Sequence, residues 1–431
     1  MSKYTFKLSN YHAIEDANIT LDGITVLSGE NGSGKSTISR WLYYLIRGTN
    51  DYEKFVDKEA LNEIRYLLDS LRRASMFLDN DNAIKISQRR QMLNEIWNIG
   101  IEAYQEKFDS IVESILASLF EEFADRKSTI VLRRLSTIFQ VDFSKNESLD
   151  VFLGKISSKL HNSYQDILLN NAKQRKKRDI NSLSSVIRSI ASVGDGWPSE
   201  ISLSEDATIL VARKGFQEPI LLNRAIYYGT QRTINSIEYT SEFDELLKKP
   251  FSEIPKQLRV VKMRIQNIID GTISYEDESP LLMDEQELYY HRNDGLRIPL
   301  KQAATGITSF AYLLQLLNNG YLQEDTLLII DEPEAHLHPQ WIVDYAKLLI
   351  LLNKRIGMKI LISSHNPDMV SAIQSISRKE GIINRVHFYV AKKQKEEDTR
   401  YYYKDLGAEI GEIFESFNIA LSRIQTYGEQ E

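Results

Sequence analysis

The sequence predicts an α/β fold whose sheet is interrupted, in chain order, by a large α-helical insertion. Three observations predict it. A β-rich run at residues 24–27 ends in a glycine-rich segment and passes straight into a helical pattern. Two strongly apolar runs, at 326–330 and 359–363, are each followed by a helical pattern, the strand–helix alternation of a parallel sheet. Between them, residues 51–190 nearly lack glycine, are crowded with charge and carry apolar residues at helical spacing.

The elements follow in order. Residues 5–9 alternate as a strand, and Ile24, Thr25, Val26 and Leu27 form a second. The next helix places Ile38, Trp41, Leu42 and Leu45 on one face. In the insertion Leu61, Ile64, Leu68 and Leu71, then Ile111, Ile115, Leu119 and Phe123, repeat the helical period. Polar breaks at 79–82, 142–146 and 170–173 divide it into several helices, which argues against one unbroken coiled-coil arm. From residue 192 the β pattern returns, with a turn at Gly194, Asp195 and Gly196 and strands predicted at 208–212 and 220–228. Helices are predicted from about Gln340 and Asp368. The domain reading is therefore residues 1–50 as the first lobe of a head, 51–191 as the insertion and 192–431 as the rest of the head.

Composition narrows the function. A chain of 431 residues allows two to three domains of about 150 residues each. A net charge of −7 excludes a wholesale basic nucleic-acid binder, so such contact needs a local patch. The absence of cysteine removes disulfides, thiolate zinc sites and thiol nucleophiles, and fits a reducing compartment. The first residues contain no apolar signal region, and no stretch approaches the ~18–20 apolar residues of a membrane span. A cytoplasmic protein with no membrane contact is expected.

The strongest motif is Gly29, Glu30, Asn31, Gly32, Ser33, Gly34, Lys35 and Ser36, followed by Thr37. It fits G-x-x-x-x-G-K-[ST] between a predicted strand and a predicted helix. Glycines let the backbone N–H groups curl toward a polyphosphate, and the helix N-terminus favours negative charge. Lys35 would reach the β- and γ-phosphates of ATP, and the Ser36 hydroxyl would ligate Mg²⁺. The strand at 326–330 then delivers Asp331 and Glu332. Asp331 would hold the metal and Glu332 would orient or deprotonate the attacking water. The strand at 359–363 leads into Ser364, His365 and Asn366, which puts His365 level with Asp331 to sense the γ-phosphate. His336 and His338 lack further ligands in a metal-binding pattern and read as part of a structural or dimer-contact loop.

Together these motifs resemble the ATP-binding-cassette heads of SMC and RecF-type ATPases, P-loop NTPases with a mixed sheet. The run DEPEAHLHP from Asp331 to Pro339 is similar to that of the OLD (overcoming lysogenization defect) ATPases and their relatives in anti-phage systems such as Septu and PARIS. Leu8, Ser9, Asn10 and Tyr11 resemble the N-terminal strand motif of that group. The resemblance implies a signature that reaches a partner's γ-phosphate, here Thr305, Gly306 and Thr308, with threonine where serine is usual before the glycine. It implies a homodimer or larger homo-oligomer through the heads, and a Q-loop glutamine, for which Gln231 is the candidate. OLD enzymes carry a Toprim nuclease after the head, and too few residues follow His365 for one, so a nuclease effector is expected on a separate chain. Lys173, Arg175, Lys176, Lys177 and Arg178 form a basic run suited to DNA, RNA or partner contact. A RecF-like repair ATPase and a nucleotide-sensing scaffold with little turnover stay open as alternatives.

Overall fold

The structure is a computed structural model that describes residues 2–75, 104–123, 129–144, 147–191, 196–229, 237–250, 253–277, 286–335 and 337–414. The chain divides into two compact units, one of Met1–Asn50 with Arg178–Glu431 and the other of Asp51–Lys177. The first opens with β1 (Tyr4–Tyr11) and β2 (Ile14–Leu21), which pair antiparallel with Tyr4 opposite Leu21. β3 (Ile24–Ser28) is buried throughout, as its continuous apolar run requires. α1 (Lys35–Asn50) then buries Ile38, Trp41, Leu42 and Leu45.

The described residues of the second unit are mostly helical. α2 (Tyr52–Ser75), α3 (Tyr104–Phe123), α4 (Thr129–Phe139) and α5 (Leu149–Lys176) enclose a core of their own. Ile64, Leu68 and Leu71 meet Ile111, Ile115 and Leu119 there, with Leu135 and Ile156. Phe108 stacks on Tyr164 with ring centroids 4.2 Å apart. The basic run is divided between the two units. Arg175 donates to Glu53 at 2.8 Å and lies 3.7 Å from Asp57, so its charge is neutralised within the unit. Lys177 is the last residue of this unit, and Arg178 belongs to the first, 3.6 Å from Glu218.

α6 (Ile180–Ala191) also belongs to the first unit, so the boundary expected at 191 falls at 177. The helix lies so close to α1 that a Cβ on Gly48 would stand 3.0 Å from Ile187 Cγ1. Its buried residues, Leu183, Val186, Ile187 and Ile190, make it part of that packing rather than of the insertion core.

The rest of the first unit completes the sheet. Its strands are β4 (Glu200–Glu205), β5 (Thr208–Ala212), β6 (Gly215–Phe216), β7 (Arg224–Gly229), and, after the helices α7 (Ile237–Lys248) and α8 (Arg259–Ile269), a three-stranded sheet of β8 (Gly271–Asp277), β9 (Gln286–Arg292) and β10 (Arg297–Pro299). There follow α9 (Thr305–Asn318), β11 (Thr326–Asp331), α10 (Pro339–Ile356), β12 (Lys359–Ser363), α11 (Pro367–Glu380), β13 (Val386–Lys392) and β14 (Tyr401–Asp405). Among the described residues the large sheet has the order β6-β5-β4-β1-β2-β14-β13-β3-β12-β11-β7. β7, β11, β12, β3 and β13 run parallel, whereas β1 pairs antiparallel with β2 and β4, so the sheet is mixed. The strand expected from residue 220 begins at Arg224, because the preceding backbone is tied elsewhere. Ile220 and Leu221 N–H donate to the Glu205 carboxylate at 2.7 and 3.2 Å, and Leu222 N–H donates to the Tyr4 hydroxyl at 3.1 Å.

Candidate functional site

The register of the parallel strands builds the site. Leu27 pairs with Ser363, Ser363 with Asp331, and Asp331 with Gly229, so β3, β12, β11 and β7 end level. Neighbouring strands are about 4.8 Å apart, so the loops that leave this edge converge. Residues 29–37 leave β3, Asp331 and Glu332 leave β11, and His365 leaves β12. Gln231 follows β7 in sequence and lies outside the described residues, as does His336.

The glycine-rich turn is shaped by backbone that other residues rarely adopt. Gly32 has φ 81° and Gly34 φ 96°, and a Cβ on Gly34 would strike Ile14 Cγ1 at 2.7 Å. The Lys35 amine folds back across the turn and donates to the carbonyls of Gly29 and Glu30 at 2.8 and 2.9 Å. Burial lowers its pKa, and the carboxylates of Glu332, Asp331, Glu334 and Glu30 oppose that shift. The buried Ser33 hydroxyl has no hydrogen-bond partner among the described residues. β14 braces the turn from behind, with Tyr403 donating to the Ser33 carbonyl at 3.2 Å and Tyr401 to Glu30 Oε2 at 3.1 Å. α1 begins at Lys35, so its first N–H groups follow directly on the turn. An amine hydrogen-bonded to backbone carbonyls, a hydroxyl with no partner among the described residues and a helix N-terminus suit a polyphosphate that carries a small cation.

The carboxylates differ in environment. Asp331 is buried, and its Oδ2 accepts a 2.5 Å hydrogen bond from Tyr227. Burial and the Asp331 charge push the Tyr227 phenol far above its ordinary pKa, so it remains a donor. Glu332 sits at φ 50°, a left-handed conformation that costs a non-glycine residue about 1–3 kcal/mol. Its N–H donates to the Ser363 carbonyl at 2.8 Å, which fixes the bend and turns its carboxylate toward His365 Nδ1, 3.3 Å away. Glu334 is buried, and its Oε1 accepts from Ser364 Oγ at 2.8 Å and from His365 N–H at 3.2 Å. Asn366 caps α11 through bonds from Asp368 and Met369 N–H. His338 caps α10, its Nδ1 accepting from Gln340 N–H at 3.4 Å. Among the described residues no three His, Asp or Glu side chains form a metal cage. The donors present, a serine hydroxyl and one carboxylate, suit a Mg²⁺ ion that keeps water and phosphate oxygens as its other ligands.

A family model described as an AAA ATPase domain matches residues 4–370. The chain belongs to that family. This AAA ATPase domain protein is 36% identical over 72 residues to the energy-coupling factor transporter ATP-binding proteins EcfA2 and EcfA3 of two Clostridium perfringens strains. That match covers 16% of the chain and spans only 25% of the length of those curated relatives. Similar solved structures include the Smc head domain of Pyrococcus furiosus with an extended coiled coil bound to the C-terminal domain of ScpA, at 11% identity and TM-score 0.36, covering 99% of this chain and 100% of that one. The SMC head domain from Thermotoga maritima gives 9% identity and TM-score 0.35, covering 94% and 99%. Among the described residues, no helix is long and apolar enough to cross a membrane.

The signature candidates stand apart from the turn. α9 begins at Thr305 with no side-chain cap, and Thr308 Oγ1 donates back to the Ala304 carbonyl at 3.3 Å. Among the described residues no hydrogen bond or ion pair joins Thr305, Gly306 or Thr308 to residues 29–37. The sequence reading missed Glu334, Tyr227, Tyr401 and Tyr403. Glu334 alone carried a local signal, since it repeats the acidic residue two positions after Glu332.

Proposed function

We propose that the chain binds ATP with Mg²⁺ and hydrolyses it to ADP and phosphate. The observation that carries this reading is the level row of Leu27, Ser363 and Asp331, which brings the Lys35 turn, the Asp331–Glu332 pair and His365 to one sheet edge. Lys35 exchanges its bonds to the Gly29 and Glu30 carbonyls for phosphate oxygens, while N–H groups of residues 30–37 line the polyphosphate. Ser36 and Asp331 hold Mg²⁺, which when bound neutralises charge on the β- and γ-phosphates. Glu332 takes a proton from the attacking water as its oxygen bonds to the γ-phosphorus and the bond to the β,γ-bridging oxygen breaks. His365 contacts the γ-phosphate and reports its loss.

Each head is completed by a second copy, whose Thr305, Gly306 and Thr308 approach the nucleotide from across a dimer face. The N-terminus of α9, which no side chain caps, supports this. The likeness of residues 331–339 to the OLD ATPases extends the reading to a cytoplasmic role, control of a separate nuclease chain in anti-phage defence.

Phosphate release by purified protein, with and without DNA, tests the engine. Lys35→Ala abolishes nucleotide binding, whereas Glu332→Gln binds ATP and accumulates as a dimer by light scattering. Hydrolysis by Glu332→Gln at the unmutated rate would overturn the assignment of the base. Failure to co-purify with the neighbouring gene product would count against the effector role alone.

A further inference from the structure

We infer that Glu334 is a positioning residue for His365, acting by fixing the turn between β12 and α11. This rests on the ATP-hydrolysis reading of the same site.

Glu334 lies deep in the unit, its side chain 3% exposed, yet it carries a carboxylate. Oε1 accepts from both Ser364 Oγ and His365 N–H, at 2.8 and 3.2 Å. The Ser364 oxygen in turn accepts from Asn366 N–H at 3.1 Å, and Asn366 caps α11. One carboxylate oxygen thus ties Ser364 and His365 directly, and Asn366 through Ser364. The same oxygen lies 3.7 Å from His365 Nδ1, so this one ring nitrogen faces both Glu334 and Glu332. The other oxygen, Oε2, is buried with no hydrogen-bond partner among the described residues. Burial raises the pKa of Glu334 against the pull of Ser364 and His365. A carboxylate kept only for packing would have both oxygens satisfied, or would be replaced by an apolar side chain at lower cost. What this one achieves is the orientation of a backbone turn that presents one side chain, His365, to Glu332.

The test is a kinetic cycle with a spectroscopic control. Glu334→Ala should lower kcat about 10–100-fold, the usual loss when an orienting partner is removed, and leave KM for ATP within about twofold. Glu334→Gln keeps the acceptor oxygen and should recover most of the rate. In a His365→Ala background, Glu334→Ala should add almost nothing, because both changes remove one function. Independent, additive losses would overturn the proposal, as would failure of the glutamine to rescue. The control needs no turnover. The chain has 7 histidines, so the imidazole ¹⁵N signals of labelled protein can be assigned with His365→Ala. Glu334→Ala should shift or broaden the His365 signal and Glu334→Gln should restore it. An unmoved signal in Glu334→Ala would refute the positioning role even if the wild-type protein proved unable to hydrolyse ATP, a result that would instead refute the proposed activity.

Discussion

The Tyr227 hydroxyl donates to Asp331 Oδ2 at 2.5 Å, from the strand next to the one that carries the aspartate. The bond occupies one carboxylate oxygen and fixes the direction of the other. In the proposed mechanism the second oxygen is the one that meets Mg²⁺, so the tyrosine orients a metal ligand without touching the metal. Tyr227→Phe should raise the Mg²⁺ concentration for half-maximal hydrolysis about 10-fold, the lower end of what lost outer partners cost. At saturating Mg²⁺ the KM for ATP should hold, because the phosphate turn is untouched. A Mg²⁺ titration that superimposes on wild type would show that Asp331 needs no such partner.

A second pair governs stability rather than chemistry. His387 Nε2 lies 3.0 Å from Asp22 Oδ1, and Asp405 stands 4.0 Å from its other nitrogen. The Asp22 interaction raises the His387 pKa above the ordinary 6.5 despite partial burial, with Asp405 adding to the rise and Lys3 opposing it. The folded protein therefore holds this proton more tightly than the unfolded chain. Its contribution is complete below pH 6.5 and is lost as pH rises through the folded value. Burial alone would raise the Asp22 pKa, but His387 lowers it below 3.8, so the carboxylate's share is present above that value and is lost on acidification. His387→Asn should lower the melting temperature at pH 5.5–6.5 and converge with wild type toward pH 8.5. Parallel melting curves across that range would sink the assignment.

The legible parts of the molecule are those whose signals are local. An apolar run that ends in a glycine-rich turn needs little beyond its own sequence to become β3 and the head of α1, and the same holds for Asp331 at the end of β11. Tyr227 is a different case, because only the register that sets β7 beside β11 gives it Asp331 as a partner. Tyr401 and Tyr403 reach the glycine-rich turn from β14, hundreds of residues downstream, and no spacing rule connects them to it. The late start of β7 depends likewise on Glu205 and Tyr4, which capture its approach by side-chain bonds that periodicity cannot reveal. α6 looked like part of the insertion because its period is helical. Whether a helix joins one core or another depends on where its apolar face lands.

Gly306 offers the most direct probe of the proposed dimer face. A Cβ there would stand 2.7 Å from Trp341 Cζ3 and 3.5 Å from Leu337 Cδ2. The Trp341 ring is braced on one side by Phe310, the two rings lying perpendicular with centroids 5.6 Å apart. Gly306→Ala must therefore push the first turn of α9 outward, at about 1–3 kcal/mol of overpacking. The phosphate turn, Asp331 and Glu332 lie on other elements, so ATP binding by the single head should stay within about twofold of wild type. Hydrolysis and ATP-dependent dimerisation should both fall, because the displaced turn carries Thr305 and Thr308. Adding Trp341→Leu, which frees space beside the new methyl, should return much of both. If Gly306→Ala binds, dimerises and turns over ATP like wild type, the N-terminus of α9 does not complete the partner's site. If it binds ATP normally, stays monomeric and is rescued by the tryptophan change, the close packing of Gly306 on Trp341 is what sets the partner-facing turn.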